Sequence, residues 1–319
     1  MTRASQAAAD EGRLRSVAGA RIVVTGGAGR IGRPTVDLLV DLGAEVTVLE
    51  RPGAEAGSRC RHVTGDVTDA AVVAPLLLDA DALVHLAGIP GLEESDPLTT
   101  YRTNTVGTFV TLMCAARAGL SKAVYGSSIN ASGLPLHPHP VLPSRFPYDE
   151  SEQPDIGDWY SLSKAENEAT AAMVHRRWGL PVTGLRLPLV RDITADNGAV
   201  FGRHIRDVMR TDPRRAVCEG WSYLDTSDAA RAVVAALTRP TSPGRGILVA
   251  APTTYLSVPT EEALDRTAPR VPREVIKGRD VPLDLTMARR VLGFQARVLL
   301  DDVAPHQLVS VTPGGAWDV

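Results

Sequence analysis

Apolar and polar positions follow two rhythms along the first 190 residues: short solid apolar runs, and longer stretches with helical spacing. The apolar runs predict strands at Ile22–Val24, Glu45–Glu50, Ala82–Leu86, Lys122–Ser127 and Val182–Leu187, with a weaker one near Arg61–Thr64. Helical spacing falls between them, over about 31–42, 69–78, 98–118 and 159–178. Strand and helix taken in turn predict a parallel sheet covered by helices on both faces. Right-handed crossovers then gather the loops that follow the strands along one edge, where ligands bind. Beyond Arg191 the alternation breaks into smaller pieces, with helices expected over 201–210, 227–237, 260–266 and 285–292 and a strand over 246–250. The fold class expected is α/β, a doubly wound parallel sheet over 21–190 followed by a small C-terminal α+β part over 191–319. Residues 1–20 are read as a mobile N-terminal extension.

The first strand runs into Thr25-Gly-Gly-Ala-Gly-Arg-Ile-Gly32. Gly26 lets the chain turn sharply out of the strand. Gly29 removes a side chain that would keep backbone away from a pyrophosphate, and Gly32 lets the helix pack closely on the strand. The helix that starts here aims free N–H groups and its positive dipole end at the crevice, which favours an anion. Glu50 closes the second strand close to the distance at which a carboxylate meets an adenosine ribose. Strand, glycine turn, helix, strand and acid together make a dinucleotide-binding unit, which assigns 21–190 that role and leaves 191–319 mainly to the substrate.

Composition narrows the class without naming it. With 319 residues, 22% charged and a net charge of -3, the chain has no basic excess to bring it to nucleic acid. Cys60, Cys114 and Cys218 are far apart, which fits a reducing compartment and places the protein in the cytoplasm. Residues 1–20 lack the apolar core of a secretory signal. The longest apolar run is cut by Asp79, Asp81 and His85, so no membrane span is expected.

Chemistry gathers on the same edge of the sheet. Tyr160 and Lys164 are four apart and share a helix face, so an ammonium stands one turn from a phenol. That placement lowers a phenol pKa and makes Tyr160 a candidate acid/base, with Lys164 also able to hold ribose hydroxyls. Ser127 and Ser128 end the fifth strand, where a hydroxyl can donate to a substrate oxygen. Hydroxyl, phenol and ammonium beside a dinucleotide describe hydride transfer at a carbinol or carbonyl carbon.

The Gly26–Gly32 motif, Gly65-Asp66-Val67, His85-Leu86-Ala87-Gly88, Asn104, Ser127-Ser128 and Tyr160-x-x-x-Lys164 together resemble the extended short-chain dehydrogenase/reductase family. That family includes the NAD-dependent epimerase/dehydratase group, with sugar or uronate dehydrogenase-like and epimerase-like members. Trp221–Asp228, Pro259-Thr260 and Asp284–Phe294 resemble its substrate-side and C-terminal segments, so the likeness covers about 21–295. The resemblance implies a Rossmann-type sheet and a catalytic set of Ser128, Tyr160 and Lys164. It implies a cofactor site of Gly26, Gly29, Arg30, Ile31, Gly32, Glu50, Arg51, Asp66, Val67, Leu86, Ala87, Gly88 and Asn104, with Tyr160 and Lys164 reaching the same molecule. Asp66 and Val67 would flank the adenine, and backbone around 186–190 would face the nicotinamide. Glu50 would select NAD over NADP, while the adjacent Arg51 could pair with a 2′-phosphate and leaves NADP open. A small-molecule substrate, no metal and a homodimer through the two long helices complete the implication.

Some positions depart from the family's pattern. Ile129 and Asn130 stand where sugar dehydratases carry two acids, which disfavours elimination. Ser132-Gly133 and Pro188–Asp192 replace segments usual in nucleotide-sugar enzymes. The function expected is NAD(P)-dependent hydride transfer on a secondary alcohol or carbonyl of a sugar-like or small natural-product substrate. The alternatives are a sugar epimerase that retains its NAD and a non-catalytic dinucleotide sensor.

Further features fall outside these motifs. Leu134–Pro154 carries six prolines and is expected to cover the site, and Thr238–Gly246 reads as a surface turn. Arg203, Arg206, Arg210, Arg214 and Arg215 read first as solvated surface and second as a grip on a substrate anion. His137 and His139 lack partners at zinc spacing, and His85 reads as a packed residue or a cofactor neighbour rather than a base.

Overall fold

In a computed structural model the described residues are 14, 16–54, 57, 59–92, 96–239 and 246–311. The first strand, β1 (Arg21–Thr25), is buried from Ile22 onward and leads through the glycine turn into α1 (Gly32–Asp41). Gly43, at φ +86°, ends that helix and turns the chain into β2 (Glu45–Glu50). Then come β3 (Arg61–Thr64) and α2 (Ala70–Leu77), the latter capped by Asp69, whose carboxylate accepts from the Ala71 N–H at 2.8 Å. After β4 (Ala82–His85), Asp96 caps α3 (Pro97–Ala118) by accepting from the Leu98 and Thr99 N–H groups, and Pro97 fits the first turn. The series continues with β5 (Lys122–Ser128), α4 (Trp159–Trp178) and β6 (Val182–Leu187).

These strands form a seven-stranded sheet in the order β3-β2-β1-β4-β5-β6-β9, the last being Ile247–Leu248. Pairing is parallel from β3 through β5, with Ile22 opposite both Val46 and Ala82. Chain order therefore reverses at β1: its successor lies on one side and β4 on the other. In open α/β sheets such a switch point, at the ends of the strands, is where ligands bind. Parallel strands covered on both faces are mostly apolar; β4 and β6 are buried at every residue, including His85, Thr183 and Arg186.

Later strands are shorter, and helices intervene between them. These later elements include β7 (Leu189–Arg191), α5 (Ala199–Thr211), α6 (Pro213–Cys218), β8 (Tyr223–Asp225), α7 (Thr226–Thr238) and α8 (Thr260–Thr267). β7 and β8 pair with each other as a separate parallel ribbon. Three-residue strands have no measurable period, so the sequence alone does not announce them. Among the described residues no helix is long and apolar enough to cross a membrane.

The contacts divide the chain into two units. One comprises Met1–Gly126, Glu166–Leu185 and Ala230–Arg245; the other comprises Ser127–Ala165, Arg186–Ala229 and Gly246–Val319. The chain thus enters the second unit at Ser127, well before the boundary near 190 that the alternation of elements suggests. In the first unit the end of the expected N-terminal extension belongs to the fold. Val17 and Ala20 are buried, and the Gly19 N–H donates to the Gly43 carbonyl at 2.8 Å. Residues 1–13, and most of the turn expected at 238–246, lie outside the described residues.

Two glycines with left-handed backbone separate strain from collision. Gly19 (φ +74°) has open space where a Cβ would stand, whereas a Cβ on Gly133 (φ +83°) would lie 2.1 Å from the Asp155 carbonyl oxygen. Gly19→Ala should lower stability by about 1 kcal/mol and Gly133→Ala by about 3 kcal/mol or more. Urea unfolding measures both, and equal losses would contradict the assignment.

Candidate active site

In the first unit the glycine turn brings backbone too close for side chains at Gly26 and Gly32. A Cβ on Gly26 would meet the Ala87 backbone nitrogen at 2.5 Å, and one on Gly32 would lie 1.9 Å from the Gly26 carbonyl oxygen. Gly29 is different, because its Cβ would meet only the Gly26 oxygen, at 3.1 Å. The fold itself accounts for Gly26 and Gly32; Gly29 leaves the loop's outer surface bare. α1 has no side-chain cap at its N-terminus. A bare loop surface and an uncapped helix start fit a pyrophosphate.

The groups expected around that loop are held by specific bonds. The Glu50 carboxylate accepts from the Ala28 N–H at 2.6 Å, so the acid that ends β2 lies over the glycine loop. Arg51, next to it, is exposed. Asp66 accepts from the Thr68 N–H and hydroxyl, each at 2.8 Å, and starts a tight turn that holds Val67 buried. Asn104 clamps the loop after β4: its Oδ1 accepts from the Ile89 N–H at 2.8 Å and its Nδ2 donates to the Ile89 carbonyl at 3.0 Å. Thr25 ties the same loop from the other side, its carbonyl accepting from the Leu86 N–H at 2.9 Å. His85 is buried between two hydroxyls, Thr25 at 2.7 Å and Thr108 at 3.1 Å, and so serves as a packed connector.

The second unit holds Ser128, Tyr160 and Lys164, all buried. The Ser128 hydroxyl is hydrogen-bonded to the Tyr160 phenol, and the Lys164 ammonium lies 5.7 Å from the centre of the Tyr160 ring. Sequence spacing led to the expectation of a lowered phenol pKa. In the structure burial dominates and pushes Tyr160 up, opposed by the Ser128 bond and by the Arg215 charge. The same burial brings Lys164 down to about 8. Both groups of this pair therefore lean toward their neutral forms.

The arginine run resolves into three roles. Arg203, Arg206 and Arg210 are exposed. Arg214 is buried and donates to the carbonyls of Leu134, Pro135, His137 and Val141, between 2.8 and 3.2 Å. It is thus neither solvated surface nor a ligand grip: it fastens the start of the proline-rich segment. Arg215 donates through Nε to the buried carboxylate of Glu219 at 2.7 Å, one helical turn on. Helical spacing could have flagged that pair, but nothing in the sequence aims it at Tyr160. Asn130 is the other residue that sequence reasoning left without a role; its amide bonds to Ser128.

The chain matches the family model described as the NAD dependent epimerase/dehydratase family over residues 22–250. It belongs to that family. Among curated relatives, UDP-glucose 4-epimerase of Bacillus subtilis is 34% identical over 129 residues, 36% of this chain and 38% of that one. UDP-glucuronic acid decarboxylase 1 of Arabidopsis thaliana is 29% identical over 228 residues, 67% of this chain and 51% of that one. The chain therefore spans about half or less of the length of these relatives. Among solved structures, a short-chain dehydrogenase/reductase superfamily protein from Agrobacterium tumefaciens with bound NAD has a TM-score of 0.68 at 20% identity, covering 90% of this chain and 96% of that one. UDP-glucose 4-epimerase of Thermotoga maritima with UDP-glucose has a TM-score of 0.65 at 21% identity, covering 90% and 97%. At these identities the structures establish the fold: the Rossmann sheet of the epimerase/dehydratase family.

The depressed Lys164 has a measurable consequence. Below about pH 8 the ammonium is protonated in both states and the burial penalty is fully present. Between about 8 and 10.5 the folded protein has released a proton that the unfolded chain still binds, so stability rises with pH. Raising the pH from 7 to 10.5 should shift the stability difference between the wild type and Lys164→Met in favour of the wild type, on the order of 3 kcal/mol. A difference independent of pH in urea titrations would sink the assignment.

Proposed function

We propose that this chain binds NAD and transfers hydride at a secondary alcohol or carbonyl carbon of a sugar-like small molecule. The observation that carries this is the buried Tyr160 phenol, hydrogen-bonded to Ser128, with the Lys164 ammonium one turn away. The bare glycine loop, the Glu50 carboxylate above it and the loop clamped by Asn104 would hold the dinucleotide. NAD, once bound, takes up or gives the hydride. Glu50 favours NAD, because a carboxylate repels a 2′-phosphate.

In the direction of reduction, Ser128 donates a hydrogen bond to the substrate's carbonyl oxygen or to Tyr160. As the new C–H bond forms, the carbonyl π pair moves to oxygen and the Tyr160 proton passes to it. Ser128 and Arg215 stabilise the phenolate that remains, and Lys164 binds the ribose and adds positive charge when protonated. Oxidation runs the same transfers backward. Ile129 is buried and apolar and Asn130 is an amide, so the turn after Ser128 supplies no acid for elimination.

Two readings share this chemistry, net oxidation or reduction with exchangeable cofactor and epimerisation on a retained one. We favour the first, and the kinship with sugar 4-epimerases supports the second. Tyr160→Phe should lower turnover on the order of 10³-fold while leaving NAD binding in place. Turnover is read by nicotinamide absorbance across a panel of sugars and nucleotide sugars. Survival of activity would remove Tyr160 from the mechanism. Denaturing the purified protein and identifying released nucleotide separates the two readings: stoichiometric NAD favours the epimerase, an empty protein the dehydrogenase.

We also propose a homodimer in the cytoplasm. Cys60, Cys114 and Cys218 form no disulfide, which supports the reducing compartment. Leu98, Val106 and Phe109 are exposed at helical spacing on one face of α3, which supports the dimer. Light scattering should give twice the chain mass, and Phe109→Lys should halve it; an unmodified protein of single-chain mass would refute the dimer.

A further inference from the structure

Directly after Ser128 the chain makes a single tight turn, Ile129–Ser132, in which all four residues are buried. Two bonds close it, Gly133 N–H to the Asn130 carbonyl at 2.8 Å and the Ser132 hydroxyl to the Ile129 carbonyl at 3.1 Å. The turn folds Asn130 back onto the residue that precedes it. The Asn130 backbone N–H donates to Ser128 Oγ at 3.1 Å, and its side-chain Nδ2 donates to the same oxygen at 3.2 Å. A serine oxygen has two acceptor positions and one proton. Asn130 occupies both acceptor positions.

We infer that Asn130 is a positioning residue that fixes the direction of the Ser128–Tyr160 hydrogen bond, leaving the serine able only to donate and the tyrosine proton free for the substrate. This rests on the hydride-transfer function proposed above. If Ser128 could accept, the Tyr160 proton would be held in a Tyr160→Ser128 bond and would have to break away before reaching the reacting oxygen. With both acceptor positions filled, Ser128 gives its own proton to Tyr160. The phenol proton then points elsewhere, and the phenolate formed on transfer already has its donor in place.

A second observation favours this amide orientation. Asn130 Oδ1 is fully buried without a hydrogen-bond partner. The reverse orientation would bury two N–H donors there in place of one oxygen, and would place an acceptor on Ser128 that competes with Tyr160 for its proton. A structural asparagine, chosen only to cap the turn, needs no side-chain bond to Ser128, because the backbone N–H already makes the capping contact.

Tyrosine 13Cζ NMR shifts, followed against pH on the NAD-saturated protein, report each phenol's ionisation, and Tyr160→Phe assigns the resonance. The other charges that act on Tyr160 are Asp158 before its helix, Lys164 on it, and Arg215 and Glu219 from the α6 region; all stay constant in the comparison. Asn130→Leu frees one acceptor position, lets Ser128 take the phenol proton, and should raise the Tyr160 pKa by about half a unit, roughly threefold in proton affinity. Asn130→Asp, close in size, turns the amide end into an acceptor for the serine proton and should raise it by about one unit or more. In a Ser128→Ala background the Asn130→Leu shift should vanish. The inference is overturned if both folded variants leave the Tyr160 titration unchanged, or if the Leu shift is as large without Ser128. No substrate enters this titration, so its failure is distinct from survival of turnover in Tyr160→Phe, which would overturn the function instead.

Discussion

The close approach of two backbones, Gly26 against Leu86 and Ala87, is the constraint on which the first unit depends. At that point the loops after β1 and β4 press together, and a β-carbon on Gly26 would stand 2.5 Å from the Ala87 backbone nitrogen. Backbone cannot yield as the far end of a side chain can, so only glycine serves. The same turn brings the Gly26 oxygen against Gly32 and thereby sets how tightly α1 starts. With the glycines packed so closely, Glu50 can reach the Ala28 amide and Thr25 can hold the loop after β4. One steric requirement thus shapes a strand end, a helix start and the loop beside them.

The second unit solves a different problem, that of keeping polar groups in a dry place. Burial raises the Tyr160 pKa and lowers that of Lys164, so neither carries charge as readily as in water. Directional bonds take over where charge is costly. Ser128 answers Tyr160, Asn130 answers Ser128, and the Arg215–Glu219 pair keeps a guanidinium and a carboxylate together within electrostatic reach of the phenol. Arg214, one residue earlier, spends its guanidinium on four carbonyls of the proline-rich segment. Two adjacent arginines therefore do unrelated work, because successive positions on a helix face different surroundings.

Much of the sheet was legible because strands in a covered parallel sheet are rich in apolar and β-branched residues, and such runs stand out. β3, exposed at three of its four residues, gave the weaker signal. The predicted strands at 45–50, 61–64 and 182–187 match β2, β3 and β6 residue for residue. The predicted helices at 98–118 and 159–178 meet α3 and α4 within a residue, since Asp96, Pro97 and Gly119 mark the ends of the first. Beyond residue 190 the elements fall to three to six residues in β7, β8 and α6, and periodicity has too few turns to register.

By itself the sequence determined the order of strands and helices, the glycine turn with its acid, and the family to which the chain belongs. Those features are local: they depend on residues within one or two helical turns, or on a conformation only glycine adopts. Only the tertiary structure decided which of five arginines meets water, loop carbonyls or a carboxylate, and that burial raises the Tyr160 pKa against the Ser128 bond and the Arg215 charge. It also decided that Asn130 turns back on Ser128. Desolvation and hydrogen-bond direction depend on what surrounds a group in space, and linear spacing carries no record of that.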